Sequence, residues 1–138
     1  MAAFYTFEIP GKPVGKQRPR MNTKSHRTYT PKETVNYEAL IKMAFAEKYP
    51  DAIPEDGRVY MVVDAYFQIP ESWPKKKKQI ALDGELAPGK PDWDNIGKAV
   101  SDALNGIAYK DDAQVCLCTV KKHYGLKPEV RVALEIKQ

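Results

Sequence analysis

Cysteine and histidine are scarce in this sequence, two of each among 138 residues, and the scarcity removes several classes of protein at once. Cys116 and Cys118 stand one residue apart in a strand-like segment, a spacing that suits neither a disulfide framework nor a complete zinc site. Only His26 and His123 could add soft ligands, and structural zinc usually takes four, so the cysteines read as core or free thiols. Long apolar runs are missing too: no stretch approaches the roughly 20 residues that a membrane helix needs. The opening MAAFYTFEIP has no basic leader followed by a long apolar segment, so the expectation is a cytoplasmic protein with no membrane partner. There is no internal repeat, linker or low-complexity tail.

What is present is 43% hydrophobic and 29% charged residues, the mixture of a folded globular protein rather than a disordered one. A chain of 138 residues can bury a continuous core but is too short for two, so residues 1–138 read as one domain. The net charge of +4 permits an anionic partner without establishing one, since many basic proteins merely carry solvated lysines.

Hydrophobic periodicity predicts the elements. Tyr5, Phe7 and Ile9 share one side of a first strand if the chain is extended there. Residues 10–27 are basic, rich in proline and glycine early on, and read as an exposed loop. Thr30 as cap, Pro31 at the first helical position and Glu33 completing a capping box predict a helix running to Tyr49, with Tyr37, Leu40, Ile41, Ala44 and Phe45 as its buried stripe. Val59, Met61, Val63, Ala65, Phe67 and Ile69 alternate along a long strand expected to be central. Residues 71–90 suggest a short helix or an irregular excursion. A second clear helix starts near Trp93 with Ile96, Ala99, Val100, Ala103, Leu104 and Ile107 on one face, and Asn105 with Gly106 ends it. Two last strands cover 113–124 and 129–136, the second turning Val130, Val132, Leu134 and Ile136 inward. The fold class is α+β: a mixed or antiparallel sheet of about four strands with two main helices.

The chemistry begins at PDWDN. Asp92 and Asp94 are two residues apart just before the helix, and in extended backbone that spacing turns both carboxylates to the same side. Like charges held together raise one pKa or recruit a cation, and hard oxygen ligands suit Mg²⁺. Along the helix, Asn95, Lys98, Asp102 and Asn105 form a polar stripe, placing Lys98 where an ammonium could steady a phosphate or an attacking water, with Asp102 able to fix it. YKDDAQV adds Asp111 and Asp112 before a strand, pointing different ways, so that one of them could complete a three-carboxylate metal site for phosphodiester hydrolysis. Each motif alone is more often structural, because acids favour helix starts and paired acids favour turns. The combination within one short span is what raises the functional reading.

The segment PDWDNIGKAVSDALNGIAYKDDAQV, with GKPVGKQRPR and TYTPKETVNYE nearer the N-terminus, resembles the RusA family of Holliday junction resolvases over nearly the whole chain. The resemblance implies that Asp92, Asp94, Asp112 and Lys98 form the catalytic site, with the three aspartates as metal ligands. It also implies Mg²⁺ dependence, with Mn²⁺ as a substitute, a homodimer, and paired nicks across a four-way DNA junction. A twofold assembly would match a twofold substrate. The lysine run 75–78 and the residues up to Lys90 match no motif of the family.

Lys12, Lys16, Arg18, Arg20, Lys24 and Arg27 crowd one loop, and Lys75, Lys76, Lys77 and Lys78 form a second positive block, so both are expected to track DNA phosphates. A solvated basic surface is the plain alternative. Tyr29, Trp73 and Trp93 could stack on unpaired bases, although aromatics at element ends more often pack against the core. Two other functions share these features: a non-catalytic nucleic-acid-binding module, with the acids as caps and turn residues, and a metal-dependent hydrolase of small phosphates.

Overall fold

The alternating apolar residues at the two ends of the chain pair with one another. In the computed structural model, which describes residues 1–29 and 31–138, β1 (Ala2–Pro10) lies antiparallel to β6 (Glu129–Lys137), with Phe7 opposite Val132 and Ile9 opposite Val130. On the other side of β6 runs β4 (Arg58–Gln68), again antiparallel, and β5 (Val115–Gly125) closes the sheet parallel to β4. The order β1-β6-β4-β5 makes the sheet mixed and puts β4 inside it, as its alternation predicts.

Two helices cover one face. The helix α1 (Lys32–Lys48) packs on β1 and α3 (Trp93–Leu104) packs on β5, and the two helices touch side by side. Phe7, Ile9, Ile41, Phe45, Met61, Val63, Ile96, Val100, Leu104, Val132 and Ile136 are buried in one continuous core between helices and sheet. Burying each such side chain contributes about 1.5–3 kcal/mol, so this layer carries most of the stabilisation. Of the stripe expected on α1, Tyr37, Ile41 and Phe45 are buried, while Leu40 and Ala44 are only partly so. On the opposite face of the sheet Phe4, Val62 and Leu117 are exposed. No helix among the described residues is long and apolar enough to cross a membrane.

Two local expectations change and one is narrowed. Pro31 stands at the cap position of α1 and not inside it, because its ψ of 142° is extended; the threonine cap expected at Thr30 lies outside the described residues. The basic loop contains a small antiparallel ribbon, β2 (Arg20–Met21) with β3 (Thr28–Tyr29), whose turn is held by Asn22 Oδ1 accepting from the backbone N–H of Lys24 at 2.8 Å and Ser25 at 3.2 Å. Of the two forms expected for 71–90 the short helix is the one present, α2 (Lys75–Leu82), beside β5, where Trp73 meets Tyr124 edge-on at 5.3 Å between ring centroids.

Candidate active site

The start of α3 organises the site. Asp92 is the cap residue, with φ −68° and ψ 153°, and Asp94 lies within the first helical turn, where its Oδ1 accepts from the Asn95 N–H at 3.0 Å. The extended backbone on which their shared side was expected therefore holds at Asp92 but gives way to helix before Asp94. Backbone winding begins at Trp93, and each helical residue adds about 100° of rotation, so the two-residue alternation of a strand does not carry through to Asp94. Asp92 lines a cleft of about 410 Å³ between α3 and residues 12–17, whereas Asp94 lines a smaller one of about 180 Å³ between α3 and β5, together with Lys98 and Cys118.

One turn further along α3, Lys98 joins the carboxylates. Its Nζ is 3.0 Å from Asp102 Oδ1 and 3.6 Å from Asp112 Oδ2, so the pairing with Asp102 expected from their four-residue spacing is present. Hydrogen bonding to Asp102 leads in raising the Lys98 pKa, with Asp112 adding to it, so the side chain stays a full cation. Exposed four-residue pairs contribute only about 0.3–0.5 kcal/mol, so this arrangement is better read as placing a charge than as holding the fold.

Asp112 reaches Lys98 because of what its neighbours do. Asp111 caps the short 3-10 turn Asp112–Gln114 through a reciprocal capping box with Gln114. The Gln114 amide also donates to the carbonyls of Glu55, at 3.0 Å, and Gly57, at 2.8 Å, tying the turn to the start of β4. Asn105, just past the end of α3, approaches Asp111 at 3.5 Å. The two acids of the DDAQ segment thus have separate jobs: Asp111 shapes the turn and Asp112 faces the lysine. Tyr109 is buried beneath, its hydroxyl donating to the Ser101 carbonyl, and burial first, then Asp112 and Asp102, push that phenol far up.

Lys16 is a member of the basic segment by sequence, yet its ammonium is held by Glu38 at 2.7 Å and Asp102 at 3.3 Å. Burial works most strongly against its charge, but the hydrogen bonds to those two carboxylates outweigh it and raise its pKa. Its backbone N–H donates to the Asn95 carbonyl at 2.7 Å, and Gly15 comes so close that a Cβ there would lie 2.8 Å from Pro91 Cβ and 2.9 Å from Asn95 Cβ. Residues 12–17 therefore form a strap from α1 to the start of α3. Lys12, Arg18, Arg20, Lys24 and Arg27 are exposed around it. Glu38 went unremarked in the sequence as a site residue, since a glutamate on an outer helix face is ordinary; its signal was its place at the end of the TYTPKETVNYE segment.

Lys75, Lys76, Lys77 and Lys78 fill the first turn of α2, with Lys77 Nζ 4.0 Å from the Trp73 ring centre. Helix N-termini already carry partial positive charge, so this is a strongly electropositive corner. The aromatics divide: Trp73 packs as aromatics at element ends usually do, whereas Trp93 is 61% exposed and Tyr29 also stands out in solvent. Both cysteines are free, and burial raises the Cys118 thiol.

As to metal, the donor set fits a hard divalent cation in kind. Asp92 and Asp94 are exposed carboxylates with no ion-pair partner among the described residues, and Mg²⁺ usually takes one or two carboxylates, with water and phosphate oxygens supplying the rest. Among the described residues no three His, Cys, Asp or Glu side chains close around one point, so the fit is that of an open site, completed from outside.

Comparison with known proteins bears on this arrangement. The family described as Endodeoxyribonuclease RusA matches residues 10–135, which include the strap, α3 and the DDAQ segment. An uncharacterized protein of Bacillus subtilis (strain 168), YqaN, is 36% identical over 133 residues, spanning 93% of this chain and 93% of its own. With its carboxylate and lysine positions inside the matched span, the chain belongs to the RusA family of endodeoxyribonucleases.

Proposed function

We propose that this protein is a Mg²⁺-dependent resolvase of four-way DNA junctions, cutting two strands symmetrically as a homodimer, with Asp92, Asp94, Asp112 and Lys98 at each site. The observation that carries the reading is Lys98, held 3.6 Å from Asp112 and one helical turn from Asp94, in a chain of this family. When bound, Mg²⁺ supplies Lewis acidity and lowers the pKa of a coordinated water. Asp92, Asp94 and Asp112 are the residues that would hold it. Lys98, a full cation at neutral pH, stabilises negative charge growing on the phosphate in the transition state. Its tie to Asp102 keeps the ammonium oriented before substrate arrives.

Exposed cations on the 18–27 ribbon and on the first turn of α2 supply the phosphate contacts, which position the duplex arms without reading sequence. Trp93, exposed beside Asp94, is suited to stack on a base opened at the crossover. A second copy supplies the second cut, since two equal sites fit a substrate of twofold symmetry.

The test is cleavage of a labelled four-way junction and a matching linear duplex, with Mg²⁺, Mn²⁺ or EDTA. Symmetric nicks in the junction alone, lost in EDTA, are expected. Tight junction binding without any cleavage would make the protein a binding module, and equal cutting of the duplex would remove junction selectivity. The DNA-contact assignment has its own check: alanine at both Arg18 and Arg20 should weaken binding to every junction sequence and reduce the slope of log K against log salt by about two. An unchanged salt titration would move those arginines off the DNA.

A further inference from the structure

Among the described residues of the 12–27 segment, Lys16 is the one cation within ion-pair distance of a carboxylate. Its side chain is only 24% exposed, and two carboxylates take two of the three donors of the ammonium and offset its charge. The Asp102 carboxylate is split between two lysines: Oδ2 lies 3.3 Å from Lys16 and Oδ1 lies 3.0 Å from Lys98. Lys98 keeps a longer contact of 3.6 Å with Asp112.

We propose that Lys16 is a positioning residue, which by occupying one oxygen of Asp102 sets where the Lys98 ammonium rests relative to Asp112. The inference rests on the reading of the Lys98 site given above. Without Lys16, Asp102 presents both oxygens to Lys98, its neighbour one helical turn away. Lys98, 56% exposed, then follows Asp102 and gives up its weaker hold on Asp112. Glu38 matters because it anchors Lys16 from α1, while the Asn95 carbonyl holds the Lys16 backbone from α3. The strap thus links the basic ribbon and the carboxylate site as one mechanical unit, so its lysine acts on the cut rather than on DNA affinity.

The experiment compares full-length wild type, Lys16→Met, Lys16→Arg and Glu38→Gln on a four-way junction with Mg²⁺. Methionine keeps the apolar stem, so the fold is expected to survive. At saturating protein the single-turnover cutting rate of Lys16→Met should fall roughly tenfold or more, as misplacement of an ammonium near the reacting atoms predicts. Half-saturation and the salt slope of binding should stay at wild-type values. Lys16→Arg should restore most of the rate, and Glu38→Gln should lower it less than Lys16→Met does. A salt slope smaller by about one with an undiminished saturating rate would make Lys16 a phosphate contact and overturn the proposal. A second readout needs no cutting: in protein labelled with ¹⁵N at lysine, without DNA, the Lys98 ammonium resonance should move in Lys16→Met. An unmoved resonance overturns the positioning role. A wild type that cuts no junction would instead remove the resolvase reading and leave the resonance to decide this one.

Discussion

Asp94→Asn is expected to lower the single-turnover rate of junction cleavage by roughly 10³-fold while leaving junction affinity in EDTA at or above that of the wild type. The substitution is nearly isosteric, and the amide oxygen can still accept from the Asn95 N–H, so the start of α3 is preserved. What disappears is one negative charge and one hard oxygen donor. Asp94 has no ion-pair partner among the described residues, so its charge is spare in the free protein and serves the fold little. Losing it near DNA phosphates relieves repulsion, which is why binding should hold or tighten. The check pairs quenched-flow cleavage at saturating protein with a binding titration on the same labelled junction. An Asp94→Asn protein that cuts at the wild-type rate would move the chemistry away from this helix start.

The largest expected effect on stability is at Gly57. Its φ of +111° is backbone that residues with a Cβ rarely adopt, and a Cβ there would lie 2.3 Å from the Lys137 carbonyl oxygen, a backbone atom that cannot turn aside. Strain and overpacking together put the cost of Gly57→Ala at about 3 kcal/mol. For a domain of this size that is a fall of about 10 °C in Tm. The cost reaches the site as well, because the Gly57 carbonyl accepts from Gln114, whose turn carries Asp112. Thermal unfolding followed by circular dichroism measures the first effect. A Tm within about 2 °C of wild type would show that the β4 entrance yields more easily than its geometry implies.

The fold was largely legible before any coordinates, for a physical reason. Strand and helix periods are local, so Phe7 and Ile9 on β1, the α3 stripe from Ile96 to Leu104, and Val130 to Ile136 on β6 identify their buried faces by spacing alone. The 71–90 segment was less legible. Its lysines oppose the field of the helix end they occupy, and its stability comes from packing that includes Trp73 on Tyr124, a contact some 50 residues apart that no window displays. The register of β5 was open for the same reason: whether it joins β4 in parallel depends on where α2 and α3 carry the chain.

Of the candidate site, the sequence by itself determined the residue types, their order, the Lys98–Asp102 spacing and the family likeness. These follow from covalent neighbourhood and helical pitch. Only the tertiary structure decided that the helix begins between Asp92 and Asp94, that Asp111 caps while Asp112 faces Lys98, and that Lys16 turns inward to Glu38. Each of these depends on where distant backbone lies in space: the winding of α3, the carbonyls of residues 55 and 57, the strap crossing from α1. Charge and spacing specify which groups are available, and packing decides which of them meet.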